Sequence, residues 1–340
     1  MRTLTSDCVS FLTSTLPYLP SISISSSQRK LKMGYHRVAR YLDVLTKAGY
    51  LSSEIGQRKT ALKFWQSSPI LDLNYLLLGV EKISANARHL LMQDLLKAIY
   101  EDYKQKISSE VQNLAAISPP LLMSVPEKWT KSKTRILIVG QETLGWDFSN
   151  GSYYPWPHPP ITNFEQFALY PRSVSALMQG YVEFEFSRFQ RENINSPYWR
   201  AYRHIRQAMG EEAFGFDSYV LTTNLFRMAF ENGSAVYNGT KEQAEEMNRL
   251  SGTLLVEEIS ILEPTAVIFF TGPKYDSYLI SQFQDVEFLS IFDIPSARLA
   301  QTYSDNLPKL SFRTYHPSYL SRSKQWNFLD NICNLVKAEQ

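Results

Sequence analysis

The chain has 340 residues, of which 44% are hydrophobic and 20% are charged. This balance is typical of a globular protein that folds in water. The formal net charge is +2, so a nucleic-acid partner must be sought in the distribution of charge rather than in its total. Cys8 and Cys333 are the two cysteines, which excludes a disulfide framework and four-cysteine zinc or iron–sulfur sites. We expect a cytoplasmic protein without a signal peptide or a membrane span.

Three regions of the chain differ in pattern. Residues 1–66 predict short helices followed by a β-ribbon, and residues 67–133 predict a helical linker region that ends in the proline-containing stretch 119–126. In residues 134–340, helices alternate with four apolar strand candidates at 135–140, 219–224, 266–271 and 310–315. Buried apolar strands joined by helices predict an α/β fold with three layers, α/β/α, around a central parallel-type sheet.

The connections between these strands carry weaker signals. Ser196, Pro197 and Gly210 predict the start and the end of a helix over 198–209. A second helical pattern covers 241–262. Residues 150–195 are long and aromatic, and we expect them to form an irregular excursion over the functional site.

Polar motifs follow three of the predicted strands, where a parallel α/β sheet binds its ligand. The first strand continues into Gly140-Gln141-Glu142, the second delivers Asn224, and the last continues into His316-Pro317-Ser318. An Asn amide offers a donor and an acceptor on one edge, which matches the edge of a base. The residues also have purely structural interpretations: Glu142 could interact with a helix N-terminus, His316 could be structural, and Asn224 could cap a turn.

Together these motifs resemble the uracil-DNA glycosylase superfamily over residues 134–340. That family begins its fold with a strand ending in a Gly-Gln-acid type motif and ends it with a strand ending in His-Pro-Ser-x-Leu. The resemblance implies a monofunctional DNA glycosylase that flips a base out of the helix and leaves an abasic site, without metal or organic cofactor. Glu142 would orient water and stabilise the sugar cation, and His316 would stabilise the departing base.

The resemblance also implies binding roles for other residues. Gln141 and Asn224 would contact the flipped base, which would stack near Trp146 or Tyr153. Leu320, together with Tyr319, would fill the gap left in the duplex. The flanking phosphates would be held by Ser318, Ser321 and Arg322.

The first motif departs from the best-known branch of that family, which reads Gly-Gln-Asp-Pro-Tyr. Here Glu142-Thr143 replaces Asp-Pro, and no Tyr follows at the same spacing. Because that Tyr excludes large 5-substituents, its absence predicts a modified pyrimidine as substrate. A hypermodified cytosine of phage DNA, hydroxymethylated and glucosylated, would make the protein an anti-phage defence enzyme. The alternatives are a repair glycosylase for uracil or another deaminated base, a catalytically inactive DNA-binding regulator, and an enzyme acting on free nucleotides.

The N-terminal region predicts a DNA-binding module. Between residues 28 and 42 the chain has basic residues and no acidic one, and the basic residues are Arg29, Lys30, Lys32, Arg37 and Arg40. The motifs Gln28-Arg29-Lys30-Leu31 and Gly34-Tyr35 resemble the gamma domain of FtsK-type DNA translocases, a winged helix, although His36 stands where that family commonly has Asn. We therefore expect residues 1–66 to bind the phosphates of double-stranded DNA; the sequence identifies no protein partner.

Overall fold

A computed structural model describes residues 85–109, 116–143, 161–186, 195–213, 217–230 and 233–339. The predicted winged helix and its five basic residues lie outside these ranges, so the N-terminal module stays a prediction. The residues from Met92 to Gln340 form one compact unit.

The compact unit is built on a six-stranded mixed sheet with the strand order β2-β1-β3-β6-β5-β4. The strands are β1 (Ile136–Glu142), β2 (Val220–Phe226), β3 (Ala266–Phe269), β4 (Glu287–Ser290), β5 (Leu299–Tyr303) and β6 (Leu310–Thr314). β1 is parallel to β2 and β3, and β3 is parallel to β6. All four predicted strands are confirmed, and so is the α/β class. β4 and β5 pair antiparallel at one side of the sheet and were not predicted.

Ten α-helices lie in the described part of the chain: α1 (Ala85–Ser108), α2 (Glu127–Lys131), α3 (Phe164–Leu169), α4 (Ser173–Phe186), α5 (Pro197–Ala208), α6 (Lys241–Ser251), α7 (Leu254–Leu262), α8 (Asp276–Phe283), α9 (Pro317–Arg322) and α10 (Asn327–Ala338). α5 begins as predicted, because the Ser196 side chain accepts a hydrogen bond from the backbone of Trp199. Within these ranges, no helix is long and apolar enough to cross a bilayer.

The helices cover both faces of the sheet. On one face, Leu137 and Val139 of β1 join a core to which α1, α4 and α7 contribute. On the other face, Ile136 and Ile138 pack with side chains of α5 and α10. Successive β1 residues point to opposite faces, so the unbroken apolar run of this strand is explained by burial on both sides.

Three predictions for the connections differ at least in part from the structure, and two of them concern helices. The helical pattern 241–262 forms two helices, α6 and α7, because Gly252 adopts a positive φ of 53° and ends the first. The described part of the excursion 150–195 contains α3 and α4, whose aromatic residues fill the core.

The third is the proline-containing stretch 119–126, which was predicted as a linker and runs through the interior. The backbone N–H of Leu121 donates to the carbonyl of Arg227 at 2.8 Å, and Leu122 and Met123 are fully buried. The prolines of 119–126 correctly indicated that this segment is not helical, but they did not indicate that it is buried. An extended segment can be buried when its backbone polar groups bond to the end of a neighbouring strand.

Candidate nucleotide-binding cleft

A cleft of about 420 Å³ opens at the carboxyl ends of β1, β3 and β6. β1 contributes Gln141, the connection after β3 contributes residues 271–274, and the connection after β6 contributes Tyr315, His316, Ser318, Tyr319 and Arg322. Tyr237, from the connection after β2, completes the lining. The sequence correctly predicted that the ends of the first and last strands meet, because parallel neighbours present their carboxyl ends at the same edge.

Gln141 joins two of these strands. Its Nε2 donates a hydrogen bond to the Thr271 carbonyl at 2.8 Å. The next residue, Gly272, has a φ of +69°, and a Cβ there would lie 3.2 Å from the Tyr315 ring. Glycine at 272 therefore allows both the tight turn after β3 and the close approach of Tyr315.

His316 is held as a neutral hydrogen-bond donor. Its Nδ1 accepts a hydrogen bond from the backbone N–H of Ser318 at 3.2 Å, which caps α9. Burial of the ring, with a smaller contribution from the positive charge of Arg322, lowers the pKa of His316 to about 4. At neutral pH the single ring proton must then sit on Nε2, because Nδ1 is an acceptor.

Tyr198 supports the imidazole, and sequence reasoning missed it. Its ring stacks on the His316 ring with centroids 6.0 Å apart and planes 20° apart. A Cβ on Gly140 would lie 3.2 Å from the same Tyr198 ring, so glycine at the end of β1 leaves room for this support. The only local signal is that Tyr198 lies in the first turn of α5, directly after Ser196 and Pro197.

Asn224 lies beside this cleft rather than in its described lining. It is the register partner of Gly140, and a Cβ on that glycine would lie 2.2 Å from the Asn224 Oδ1 atom. Its Nδ2 donates to the Thr143 hydroxyl at 3.1 Å. Gln141 and His316 therefore share the described lining, whereas Asn224 lies against Gly140 just outside it, and the base-reading role of Asn224 stays a prediction.

Glu142 is not among the described residues that line the cleft, and its catalytic role stays a prediction. One carboxylate oxygen accepts hydrogen bonds from the Ser234 hydroxyl at 2.9 Å, the Val236 backbone at 3.3 Å and the Tyr275 hydroxyl. The other accepts from the backbone N–H of Ala235 at 2.8 Å. These contacts attach a distant turn to the end of β1, whereas the sequence predicted a carboxylate that faces water and substrate.

Leu320 cannot be the residue that fills a gap in DNA in this conformation, because it is 0% exposed and packs in the core beneath α9. The neighbouring Tyr319 is 43% exposed and lies against Tyr315 with ring centroids 4.2 Å apart. Ser318 and Arg322 line the cleft as predicted, and Ser321 is exposed on the same short helix. The part of this prediction that names Leu320 is therefore wrong, and the part that names Tyr319 stays a prediction.

Charge is unevenly distributed around the cleft. Its lining contains the cations Lys274 and Arg322 and, within the described residues, no carboxylate. Lys274 Nζ lies 3.9 Å from the centroid of the Tyr237 ring and donates to the Val236 carbonyl at 2.9 Å. Trp146 and Tyr153 lie outside the described residues, so their stacking roles stay predictions.

A comparison of the chain with protein-family models, with curated proteins and with solved structures finds no match. A functional assignment must therefore follow from the chemistry of the cleft itself.

Proposed function

We propose that this protein is a DNA glycosylase of the uracil-DNA glycosylase type, in which residues 134–340 excise a base from DNA. The observation that carries the proposal is the placement of His316 in a cleft lined by cations, where its Nδ1 accepts a hydrogen bond from Ser318 and burial lowers the pKa of the ring. A neutral ring in this position has its N–H donor at Nε2. Such a group donates a hydrogen bond without adding a charge that would have to be removed from water.

The chemistry of base excision matches this donor. Breaking the bond between the sugar and a pyrimidine leaves negative charge on the base and positive charge on the sugar. A donor that is fixed before the reaction stabilises the developing anion without reorganisation. The Ser318 backbone contact and the stacked Tyr198 ring fix the His316 imidazole in this way.

The lining of the cleft suits a nucleotide. Three tyrosines, Tyr237, Tyr315 and Tyr319, offer flat surfaces and phenol groups, and Lys274 and Arg322 offer positive charge. Proteins that bind unpaired nucleotides combine aromatic side chains for the base with cations for the phosphate. The volume of about 420 Å³ lies within the roughly 300–1,000 Å³ range of small-molecule sites.

We further propose a monofunctional enzyme that leaves an abasic site. A bifunctional glycosylase would instead attack the sugar with an amine nucleophile. The candidate amine in the described lining of the cleft is Lys274. Its Nζ lies over the Tyr237 ring and donates to the Val236 carbonyl, so the amine is directed at these two protein groups.

For the base itself we propose a modified pyrimidine, such as the glucosylated hydroxymethylcytosine of phage DNA, which would give the protein a role in anti-phage defence within the bacterial cytoplasm. The support is the missing Tyr after Glu142-Thr143, since the family uses that residue against large 5-substituents. Repair of uracil is the rival assignment for the same cleft.

The experiment compares duplexes that contain one uracil, one hydroxymethylcytosine or one glucosylated hydroxymethylcytosine. Released bases are identified by mass spectrometry, and abasic sites are detected by alkaline strand cleavage. We expect release of the glucosylated base, and a loss of about 100- to 1,000-fold in the His316→Ala variant, as for removal of one oxyanion-type donor.

His204→Asn is the matched control, because His204 forms a hydrogen bond of 2.7 Å with Asp330 on α10 and is not among the residues that line the cleft. Release of uracil alone would replace the defence assignment with repair. If no duplex releases a base, the proposed glycosylase activity fails on these substrates, and tight binding of the same duplexes without release would favour the DNA-binding regulator.

A further inference from the structure

Glu142 joins three parts of the chain that are distant in sequence. Its carboxylate accepts hydrogen bonds from the Ser234 hydroxyl and from the backbone of Ala235 and Val236, and one from the Tyr275 hydroxyl. Four donors on one carboxylate fix both the turn after β2 and the short 3₁₀ helix after β3 (Pro273–Tyr275) to the end of β1. Few other groups could replace it, because a carboxylate accepts on both oxygens and donates on neither.

The turn that Glu142 fixes contains Val236 and Tyr237, and both of these residues contact Lys274. The Val236 carbonyl accepts a hydrogen bond from Lys274 Nζ at 2.9 Å. The Tyr237 ring, which is 56% exposed, lies 3.9 Å from the same ammonium. Tyr237 and Lys274 both line the cleft, so this arrangement places one positive charge at a defined position beside the substrate.

A fixed lysine binds an anion better than a mobile one. A free Lys side chain has about 2 kcal/mol of rotamer entropy, and two contacts remove part of that freedom before the ligand arrives. The ammonium has three donor protons; the Val236 carbonyl takes one, and the others can be shared with an anion. No carboxylate lies in the described lining to compete for them.

We propose that Lys274 binds a phosphate of the DNA backbone beside the flipped nucleotide, and that Glu142 is a positioning residue that builds this cation site through Val236 and Tyr237. The identity of the ligand as DNA rests on the proposed function. In this arrangement Glu142 contributes to DNA binding, whereas a Glu142 that activated water would contribute to the rate of bond cleavage.

The test measures binding apart from excision. The full-length protein binds a duplex that contains a tetrahydrofuran abasic-site analogue, which has no base to release, and fluorescence anisotropy gives the Kd over a range of salt concentrations. The variants are Lys274→Met, Lys274→Arg, Glu142→Gln, Tyr275→Phe and the double variant Lys274→Met/Glu142→Gln. Lys309→Met is the matched control, because Lys309 is exposed at the amino end of β6, at the opposite edge of the sheet.

We expect Lys274→Met to weaken binding and to make the slope of log K against log salt shallower by about 0.9, the value for one lost phosphate contact. Lys274→Arg should restore the slope.

Glu142→Gln should also weaken binding, because the Gln amide would present a donor to the Ala235 N–H, which is itself a donor. Tyr275→Phe should weaken binding too. The double variant should bind no more weakly than Lys274→Met, since both changes remove one contact.

Several results would overturn the inference. A Glu142→Gln variant with wild-type Kd and salt slope, but with slower excision, would place Glu142 in the chemistry. If the losses of binding free energy add in the double variant, Glu142 does not act through Lys274. If Lys274→Met leaves the salt slope unchanged, Lys274 does not contact a phosphate. If the wild type binds the analogue duplex but releases no base from the duplexes of the excision assay, the proposed function fails and the cation site remains. If the wild type excises bases and the variants keep the wild-type salt slope, only the cation site fails. Thermal unfolding of each variant shows whether it is folded.

Discussion

Replacing His316 with asparagine should make the unfolding free energy of the protein less dependent on pH. Burial lowers the pKa of His316 from its usual 6.5 to about 4 in the folded protein. As the pH falls below 6.5, the unfolded chain binds a proton at this residue that the folded protein does not bind. The folded state therefore loses stability until the pH reaches about 4, below which both states are protonated.

The size of the effect follows from the two pKa values. Between pH 7 and pH 5, a group that titrates near 6.5 when unfolded and near 4 when folded removes about 2 kcal/mol of stability. Water in the open cleft screens the ring, so about 2 kcal/mol is an upper bound for this interval. The asparagine side chain of the variant does not titrate, and the substitution should therefore remove this share of the pH dependence.

Two measurements check the reasoning. Urea unfolding at pH 7 and at pH 5 gives the stability of the wild type and of His316→Asn, and the difference between the proteins isolates the contribution of His316. An NMR titration of the ring C2–H, assigned by its loss in the variant, gives the pKa directly. A pKa above about 6, or the same loss of stability in both proteins, would refute the neutral donor on which the proposed chemistry rests.

Two further predictions separate residues by function. Leu320→Ala should lower the unfolding free energy by about 2–5 kcal/mol because it empties a core position. Tyr319→Ala should lower it by about 1 kcal/mol or less, yet slow excision from duplex DNA. Equal losses of stability would contradict the buried position of Leu320 and the exposed position of Tyr319. Deleting residues 1–66 should weaken duplex binding and make its salt dependence shallower, and an unchanged affinity and slope would remove the DNA-binding role of that region.

The sequence predicted the parallel part of the sheet because its strands are buried on both faces. β1 and β3 have continuous apolar runs, which are typical of a parallel sheet between helices. β2 is buried along most of its length, although it contains Thr222, Thr223 and Asn224. β4 and β5 were missed because neither has a continuous apolar run. β4 is exposed along most of its length at the edge of the sheet. β5 is mostly buried, but its five residues include Gln301 and Thr302, which interrupt the apolar pattern.

The sequence predicted those parts of the site that depend only on where the strands end. Gln141 and His316 follow strands that are parallel within one sheet, so their proximity needed no knowledge of the loops. The contacts of Glu142 with Ser234 and Tyr275 are different. They join residues 92 and 133 positions apart through connections whose paths depend on packing, and no local pattern in the sequence specifies them.

The same limit applies to α9 and decides how a motif should be interpreted. His-Pro-Ser-x-Leu ends in Leu320, but the direction of that side chain depends on how the short helix packs. Here α9 lies against α5 and turns Leu320 into the core, which leaves Tyr319 at the cleft. A motif therefore predicts which strand end carries the chemistry, and the fold determines which atoms are open to substrate. For this reason the two motif residues have distinct expected effects: loss of His316 should slow excision, and loss of Glu142 should weaken binding.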